Sequence, residues 1–305
     1  MSQTVLILGA TGRFGRHAAT AFEYAGWTVR CFDRASDSLW DAAWGADVIV
    51  NAWNPKPHNW ADTQPGLTKQ VIEVAQASGA TVIIPGNVYA YGDKMPPILD
   101  AATPQRPTTP YGEIRATMEA SYRAAGVRTI VLRAGDFIDV TASGNWFDKV
   151  IMAKVAQGKV AYPGPLDRPH AWAFLPDMAE AAVLLAEQRA TLAPFEDVPF
   201  AGFTLTGAEL IAAASQAAGR PLRATGFPWW AIRLARPFWP EGGYLADMRY
   251  LWDRPHGLSG EKLARLCPQF RATPVVEALR DALEIDVHPD QPVGASRVPL
   301  FTQKV

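Results

Sequence analysis

The sequence predicts an α/β protein with a doubly wound parallel sheet and a smaller C-terminal lobe, and three observations carry that expectation. Apolar, β-branched runs alternate with helix-length segments up to Arg133, the rhythm of parallel strands covered on both faces. A glycine cluster separates the first run from the first helical segment. Beyond Arg133 the alternation stops, and proline and aromatic residues become frequent, which marks a second lobe.

Taken in order, Thr4 to Leu8 reads as the first strand and Arg13 to Ala25 as the first helix, stopped by Gly26. Trp27 to Phe32 and Ala46 to Ala52 read as the second and third strands. Gln70 to Ala77 lies in a helix closed by Gly79, and Thr81 to Ile84 is a fourth strand. Pro110 to Ala125 forms a helix with Thr109 as N-cap, Pro110 in the first position and Gly126 as its stop. Val127 to Leu132 completes the first half as a fifth strand.

Helices are expected in the second half over Trp146–Gln157, Pro176–Gln188, Gly207–Ala218 and Pro274–Leu283, with a Thr206/Glu209 capping box at the third. Asp177 reads as an N-cap. The expected division is a dinucleotide-binding domain over residues 1–135, rejoined by a helix over 176–189, and a mainly substrate-binding lobe over 136–305. The segment Phe227 to Pro240 concentrates aromatic residues, and its prolines break a long helix, so it is read as lobe core or lid.

Composition excludes several classes. With 29 basic and 30 acidic residues there is no electrostatic footprint for nucleic acid or an anionic membrane. No apolar run reaches the ~18 residues of a membrane helix, and no signal-peptide pattern stands at the start, so a soluble cytoplasmic protein is expected. Five scattered histidines and two isolated cysteines, Cys31 and Cys267, predict no metal site. The expected partners are a small-molecule substrate and, for assembly, a second copy of the chain as a homodimer.

The glycine cluster is Gly9-Ala10-Thr11-Gly12-Arg13-Phe14-Gly15, between a strand and a helix. In that context the first glycine makes the tight turn and the second admits a pyrophosphate against backbone. The third lets helix and strand pack closely. Asp33 ends the second strand 21 residues after Gly12, where a ribose 2′-hydroxyl would sit. The two marks together predict a Rossmann-type nicotinamide dinucleotide site. A carboxylate there favours NAD, while Arg34, with Arg13, is placed to hold the phosphate of NADP instead.

Glycine loop, Tyr91-Gly92-Asp93, then Tyr111-Gly112-Glu113-Ile114-Arg115 together resemble the extended short-chain dehydrogenase/reductase family, the NAD-dependent epimerase/dehydratase group that acts largely on nucleotide sugars. Leu132–Phe137 and Leu175–Ala181 look like its later landmarks. The resemblance implies a Ser/Thr and a Tyr-x-x-x-Lys pair, the tyrosine exchanging a proton with a substrate oxygen while the lysine charge lowers its pKa. Tyr111 falls on the tyrosine, Arg115 on the lysine and Asn87 on the hydroxyl residue. Arginine keeps the charge but does not relay protons, and asparagine keeps a hydrogen-bond donor but no hydroxyl.

Two further departures concern the cofactor side. Only about a dozen residues part Asp33 from the third strand, so a strand the family usually has there is shortened or missing. Ala52 is followed by Trp53 where the family places a small residue against the cofactor. The expected function is an NAD(P)-dependent oxidoreductase or epimerase acting on a hydroxyl- or carbonyl-bearing substrate, a nucleotide sugar among the candidates, and using Tyr111, Arg115 and Asn87, against the alternative of a non-catalytic NAD(P)-binding sensor or regulatory protein on the same fold. Arg220, Arg223, Arg233, Arg236 and Arg249 stand in the second lobe as candidate contacts to a diphosphate.

Overall fold

The structure, a computed structural model, describes residues 2–235 and 238–284. Strands β1 (Thr4–Leu8), β2 (Thr28–Phe32), β3 (Val48–Asn51) and β4 (Thr81–Gly86) follow one another along the first part of the chain. A short strand β5 (Ile98–Leu99) precedes β6 (Thr129–Arg133). In the second half lie β7 (Asp136–Ile138), β8 (Lys159–Tyr162), β9 (Pro169–Phe174), β10 (Phe195–Pro199), β11 (Phe203–Thr206), β12 (Arg223–Gly226) and β13 (Gly257–Leu258). The central sheet runs β2-β1-β3-β4-β6-β10, and every pairing in it is parallel.

Helices α1 (Arg13–Tyr24), α2 (Leu39–Ala43), α3 (Trp60–Ser78), α4 (Pro110–Ala124) and α5 (Leu175–Glu187) clothe this sheet. Helices α1 and α5 pack together on one face, through a cluster that includes Phe14, Phe22, Met178 and Leu185. On the other face α3 and α4 close over Val71, Met118 and Tyr122. Strands buried on both sides explain the unbroken apolar runs TVLIL and TVII.

Between β2 and β3 the chain makes only the five-residue α2, and no strand intervenes, so β2 is the sheet edge. Ser38 caps α2 by accepting from the Asp41 amide, and Arg30 donates to the Ala42 and Trp44 carbonyls at its end. A helix end thus covers part of an otherwise open strand.

After Arg133 the chain builds the three-stranded sheet β11-β9-β7 and the pair β12-β8. Helices α6 (Gly207–Ala217), α7 (Trp229–Ala235), α8 (Pro240–Asp247), α9 (Tyr250–Asp253), α10 (Glu261–Leu266) and α11 (Val275–Glu284) surround them. Their core gathers Phe147, Trp172, Leu210, Trp252 and Leu279. The capping box at Thr206 and Glu209 is present.

Three local expectations are corrected. The stretch over Trp146–Gln157 is a π-helical turn (Phe147–Ile151) and a short 3-10 turn (Val155–Gln157) instead of one helix. Asp177 is not an N-cap: α5 begins at Leu175, and the Asp177 carboxylate accepts from both the amide and the hydroxyl of Thr273, 96 residues away. In the aromatic segment, Phe227 and Trp229 pack on Trp146 as lobe core, but Trp230, Leu234 and Phe238 face outward, Phe238 at 90% exposure. Pro237 and Arg236 of that segment lie outside the described residues.

The sheet and α4 are joined by a buried guanidinium. Arg133, fully buried at the end of β6, donates to both carboxylate oxygens of Glu119 on α4 and to both of Asp197 on β10. It also donates to the Asn87 carbonyl just past β4. Burial opposes the charge, but Glu119 and Asp197 reverse the effect and hold the group firmly protonated. Arg133→Met leaves two buried carboxylates without their counter-charge and should lower unfolding free energy by about 3–5 kcal/mol, read from urea denaturation.

Candidate active site

The glycine loop has the shape a dinucleotide needs. Gly9 takes a left-handed φ of +82°, and the Gly12 amide closes the turn on the Gly9 carbonyl at 2.9 Å. A Cβ on Gly15 would stand 2.0 Å from the Gly9 carbonyl oxygen, so only glycine lets α1 start this close to β1. Gly12 caps α1 without any side-chain hydrogen bond, leaving the first-turn amides to an anion. These residues fit a bound pyrophosphate.

The neighbours divide into those turned toward this cradle and those engaged elsewhere. Phe14 is buried in the core, so it has only backbone to offer, while Thr11 is exposed. Arg13 reaches across to the second lobe and donates to the carbonyls of Ser143 and Gly144 at 3.0 and 2.8 Å. Beside it Asp139 binds Arg16 and His17, which hold its carboxyl down to about 2 although burial would raise it. The loop after β7 is therefore pinned to the start of α1.

Asp33 directly follows β2, and its Oδ1 accepts from the Ala35 amide. Arg34 lies 4.4 Å over the ring of Trp53. Trp53 is buried against Phe32, and its indole edge and the Ala52 carbonyl oxygen lie 3.3 and 3.1 Å from where a Cβ on Gly9 would stand. Thus Ala52 and Trp53 form the wall of the glycine loop.

At the C-terminal edge of β4 the second group assembles. Thr109 caps α4 through the Gly112 amide, and a Cβ on Gly112 would lie 2.4 Å from the Tyr89 carbonyl oxygen. That close approach sets Tyr111 beside the turn formed by Asn87 and Tyr89, where the Asn87 side-chain oxygen accepts from the Tyr89 amide. The Tyr111 ring meets Tyr244 edge-on at 4.8 Å and Trp60 at 6.2 Å. Tyr244 and Tyr89 share a 2.8 Å hydrogen bond between hydroxyls. Burial, with the Asp136 charge adding to it, pushes the Tyr244 hydroxyl up to about 12.

Arg115 is one turn beyond Tyr111 and buried. It donates to the Pro85 carbonyl at 2.7 Å and lies 5.6 Å over the Trp60 ring. Glu119, one turn further along α4, is taken by Arg133 and Gln105. Burial lowers the Arg115 pKa, with the Glu119 charge opposing.

Two sets of contacts went unread in the sequence. One is the Arg133 cluster, signalled only by a charge ending an apolar strand. The other is the pairing of Asp136 with His170, where Asp136 Oδ2 meets His170 Nε2 at 2.8 Å. The His170 ring stacks on Trp252 at 4.3 Å and meets His256 at 4.5 Å. Of the second-lobe arginines, Arg220 is bound to the Val155 and Ala156 carbonyls and Arg249 to Asp253. Arg223 lies on β12 and Arg233 on α7, and Arg236 is outside the described residues. Among the described residues there is no metal-binding cluster and no helix long and apolar enough to cross a membrane.

Residues 5–198 match the model of the NAD dependent epimerase/dehydratase family. Similar solved structures include MoeE5 in complex with UDP-glucose and NAD (TM-score 0.71, 16% identity, covering 95% of this chain and 99% of that one). WbmH from Bordetella bronchiseptica in complex with NAD+ is alike at TM-score 0.69 and 16% identity, over 95% and 99% of the two chains. A human epimerase family protein with NADPH gives 0.67 and 16%, over 92% and 99%. At such identities the likeness shows the fold alone. No curated protein gives a significant match.

The geometry leads to two expected outcomes. Asp33→Ser should move the ratio of NAD to NADP affinity toward NADP, measured by calorimetry, because repulsion of the 2′-phosphate is lost. His256, its ring held near 3 by burial and by His170, stays neutral where an ordinary histidine at 6.5 takes a proton. Above pH 6.5 both folded and unfolded states are neutral at this position, so stability is unaffected. As pH falls from 6.5 toward 4.5 the unfolded chain alone binds the proton, and stability should fall by about 1.4 kcal/mol per unit. His256→Gln should flatten that slope in denaturation series.

Proposed function

Because the chain belongs to the NAD dependent epimerase/dehydratase family, we propose that it is an NAD(P)-dependent oxidoreductase or epimerase acting on a hydroxyl- or carbonyl-bearing substrate, with Tyr111 as its acid/base. The observation that carries this is the placement of Tyr111. It stands in the first turn of α4, pressed through Gly112 onto the Asn87 turn, at the same sheet edge as the glycine loop and two strands from it. Ligands of open α/β sheets bind in the crevice at that edge.

Gly9, Gly12 and Gly15 would hold the pyrophosphate with the first-turn amides of α1, Asp33 the ribose, and Ala52 and Trp53 the wall beside them. When bound, the nicotinamide supplies a hydride acceptor or donor. NAD is the cofactor favoured by Asp33, and NADP the alternative through Arg34. The Tyr111 hydroxyl gives or takes the proton at the substrate oxygen, and the Asn87 amide donates a hydrogen bond to that oxygen. Arg115 contributes a fixed positive charge one turn along the same helix.

A second reading keeps the dinucleotide and drops the chemistry. Its support is the Arg115 guanidinium, which is turned to the Pro85 carbonyl and the Trp60 face. Tyr111→Phe decides between the two. In an enzyme it should cut turnover roughly 10²- to 10⁴-fold while NAD affinity by calorimetry stays the same. A wild type that binds NAD yet neither reduces it with alcohols, amino alcohols or nucleotide sugars nor converts any of them to an epimer would establish the binding protein.

A further inference from the structure

Resting on the reading of this cleft as a substrate site, we propose that the Tyr244 hydroxyl, oriented by Tyr89, is a second oxygen-binding donor beside Tyr111, taking the oxygen of a carbonyl, alkoxide or phenolate ligand from the side of the C-terminal lobe.

Tyr89 and Tyr244 stand 155 residues apart in the chain, and their hydroxyls share a hydrogen bond of 2.8 Å. Tyr89 belongs to the turn that opens at Asn87, whose side-chain oxygen accepts from the Tyr89 amide. Tyr244 is carried by α8 of the second lobe, which packs against the Pro57–Asn59 turn ahead of α3. The Tyr244 ring meets Tyr111 edge-on at 4.8 Å, and Trp60 joins the group at 6.2 Å from Tyr111 and 6.4 Å from Tyr89. All three tyrosines pack on one apolar cluster, and each is only partly buried. A small ligand held at one of these rings is within reach of its neighbours.

Two hydroxyls carry two protons, and the bond between them uses one. The other O–H belongs to whichever oxygen accepts, and it serves a third oxygen. Burial raises the pKa of both groups, so both protons stay in place at neutral pH. Tyr244 is the member whose ring touches Tyr111. The arrangement that serves the cleft therefore has Tyr89 donating to Tyr244 and Tyr244 donating outward. A hydroxyl that accepts one hydrogen bond donates the next more strongly.

The hydroxyl that Asn87 lacks is in this way supplied from α8, across the cleft from the Asn87 turn. Aromatic rings with an O–H donor among them suit an oxygen carried on a small flat or apolar body.

The test is spectrophotometric titration of the protein with 4-nitrophenol, whose neutral and ionised forms absorb differently. Wild type should bind it and hold it as the phenolate, because O–H donors lower the pKa of a bound phenol. Tyr244→Phe keeps the ring and should weaken binding roughly 10- to 100-fold, the loss of one hydrogen bond to a charged oxygen, while part of the bound probe returns to the neutral form. Tyr89→Phe should cost only about threefold, and the double variant should be no worse than Tyr244→Phe, since Tyr89 acts through Tyr244. Circular dichroism of each variant checks the fold. Tyr244→Phe that leaves both affinity and the ionised fraction of bound probe unchanged overturns the proposal, and so does one that lowers affinity alone, as loss of packing would. A wild type that binds no 4-nitrophenol overturns it as well. Additive losses in the double variant overturn the role given to Tyr89. Failure of the Tyr111 chemistry would appear separately, as turnover indifferent to Tyr111→Phe, and would leave these titrations unchanged.

Discussion

Much of the molecule's arrangement follows from the need to satisfy one buried guanidinium. Arg133 cannot lose its proton, and a guanidinium out of water is tolerated only when its fork of donors is filled. Its partners come from three directions: Glu119 on α4, Asp197 on β10 and the carbonyl of Asn87 past β4. Meeting all of them fixes the position of α4 relative to the sheet and brings β10 in as the last strand. Tyr91, whose ring lies 5.2 Å from the same guanidinium, is locked with it. Asn87 and Tyr111, on the turn and helix so fixed, inherit their placement from a contact neither makes through its own side chain.

A second set of contacts couples the lobes at the cofactor cradle. Arg13 and Arg16 leave the glycine loop and α1 to grasp the segment after β7, and His17 joins them on Asp139. Side chains that would otherwise be open to phosphate are thereby used to hold Ser143 and Gly144 at the mouth of the site. The first-turn backbone amides, and not an arginine, are left open at the loop.

What the sequence discloses and what it hides divide along the range of the interactions. The glycine loop, the Thr109 cap, the alternating strands and the missing strand after Asp33 are local patterns, and each is found where the spacing puts it. Strand β10 escaped notice because Glu196 and Asp197 interrupt its apolar pattern, and those acids make sense only once Lys262 and Arg133 are seen beside them. Asp177 misleads for the same reason, since a carboxylate near a helix start resembles a cap until Thr273 arrives from 96 residues on. The Asp136–His170 pair spans 34 residues and two strands, and neither residue carries a spacing rule that would join them.

The departures from the family's active-site pattern gain sense when charge is followed from the protein's interior outward. The positive groups behind the cleft, Arg115 and Arg133, point inward to carbonyls and carboxylates, while the Asp136 carboxylate just past β6 is paired with His170 and keeps part of its surface exposed. A lysine in place of Arg115 would have a compact ammonium on a flexible stem; the longer planar arginine instead reaches past the helix to the Pro85 carbonyl and beneath Trp60. Its charge then acts as a fixed field and not as a proton carrier. With Asn87 also lacking a transferable proton, the hydroxyls gathered around it among the described residues include those of Tyr111, Tyr89 and Tyr244. Burial and the Asp136 charge oppose ionisation of the latter two, and Tyr111 is the one of the three that shares α4 with Arg115, a single helical turn away.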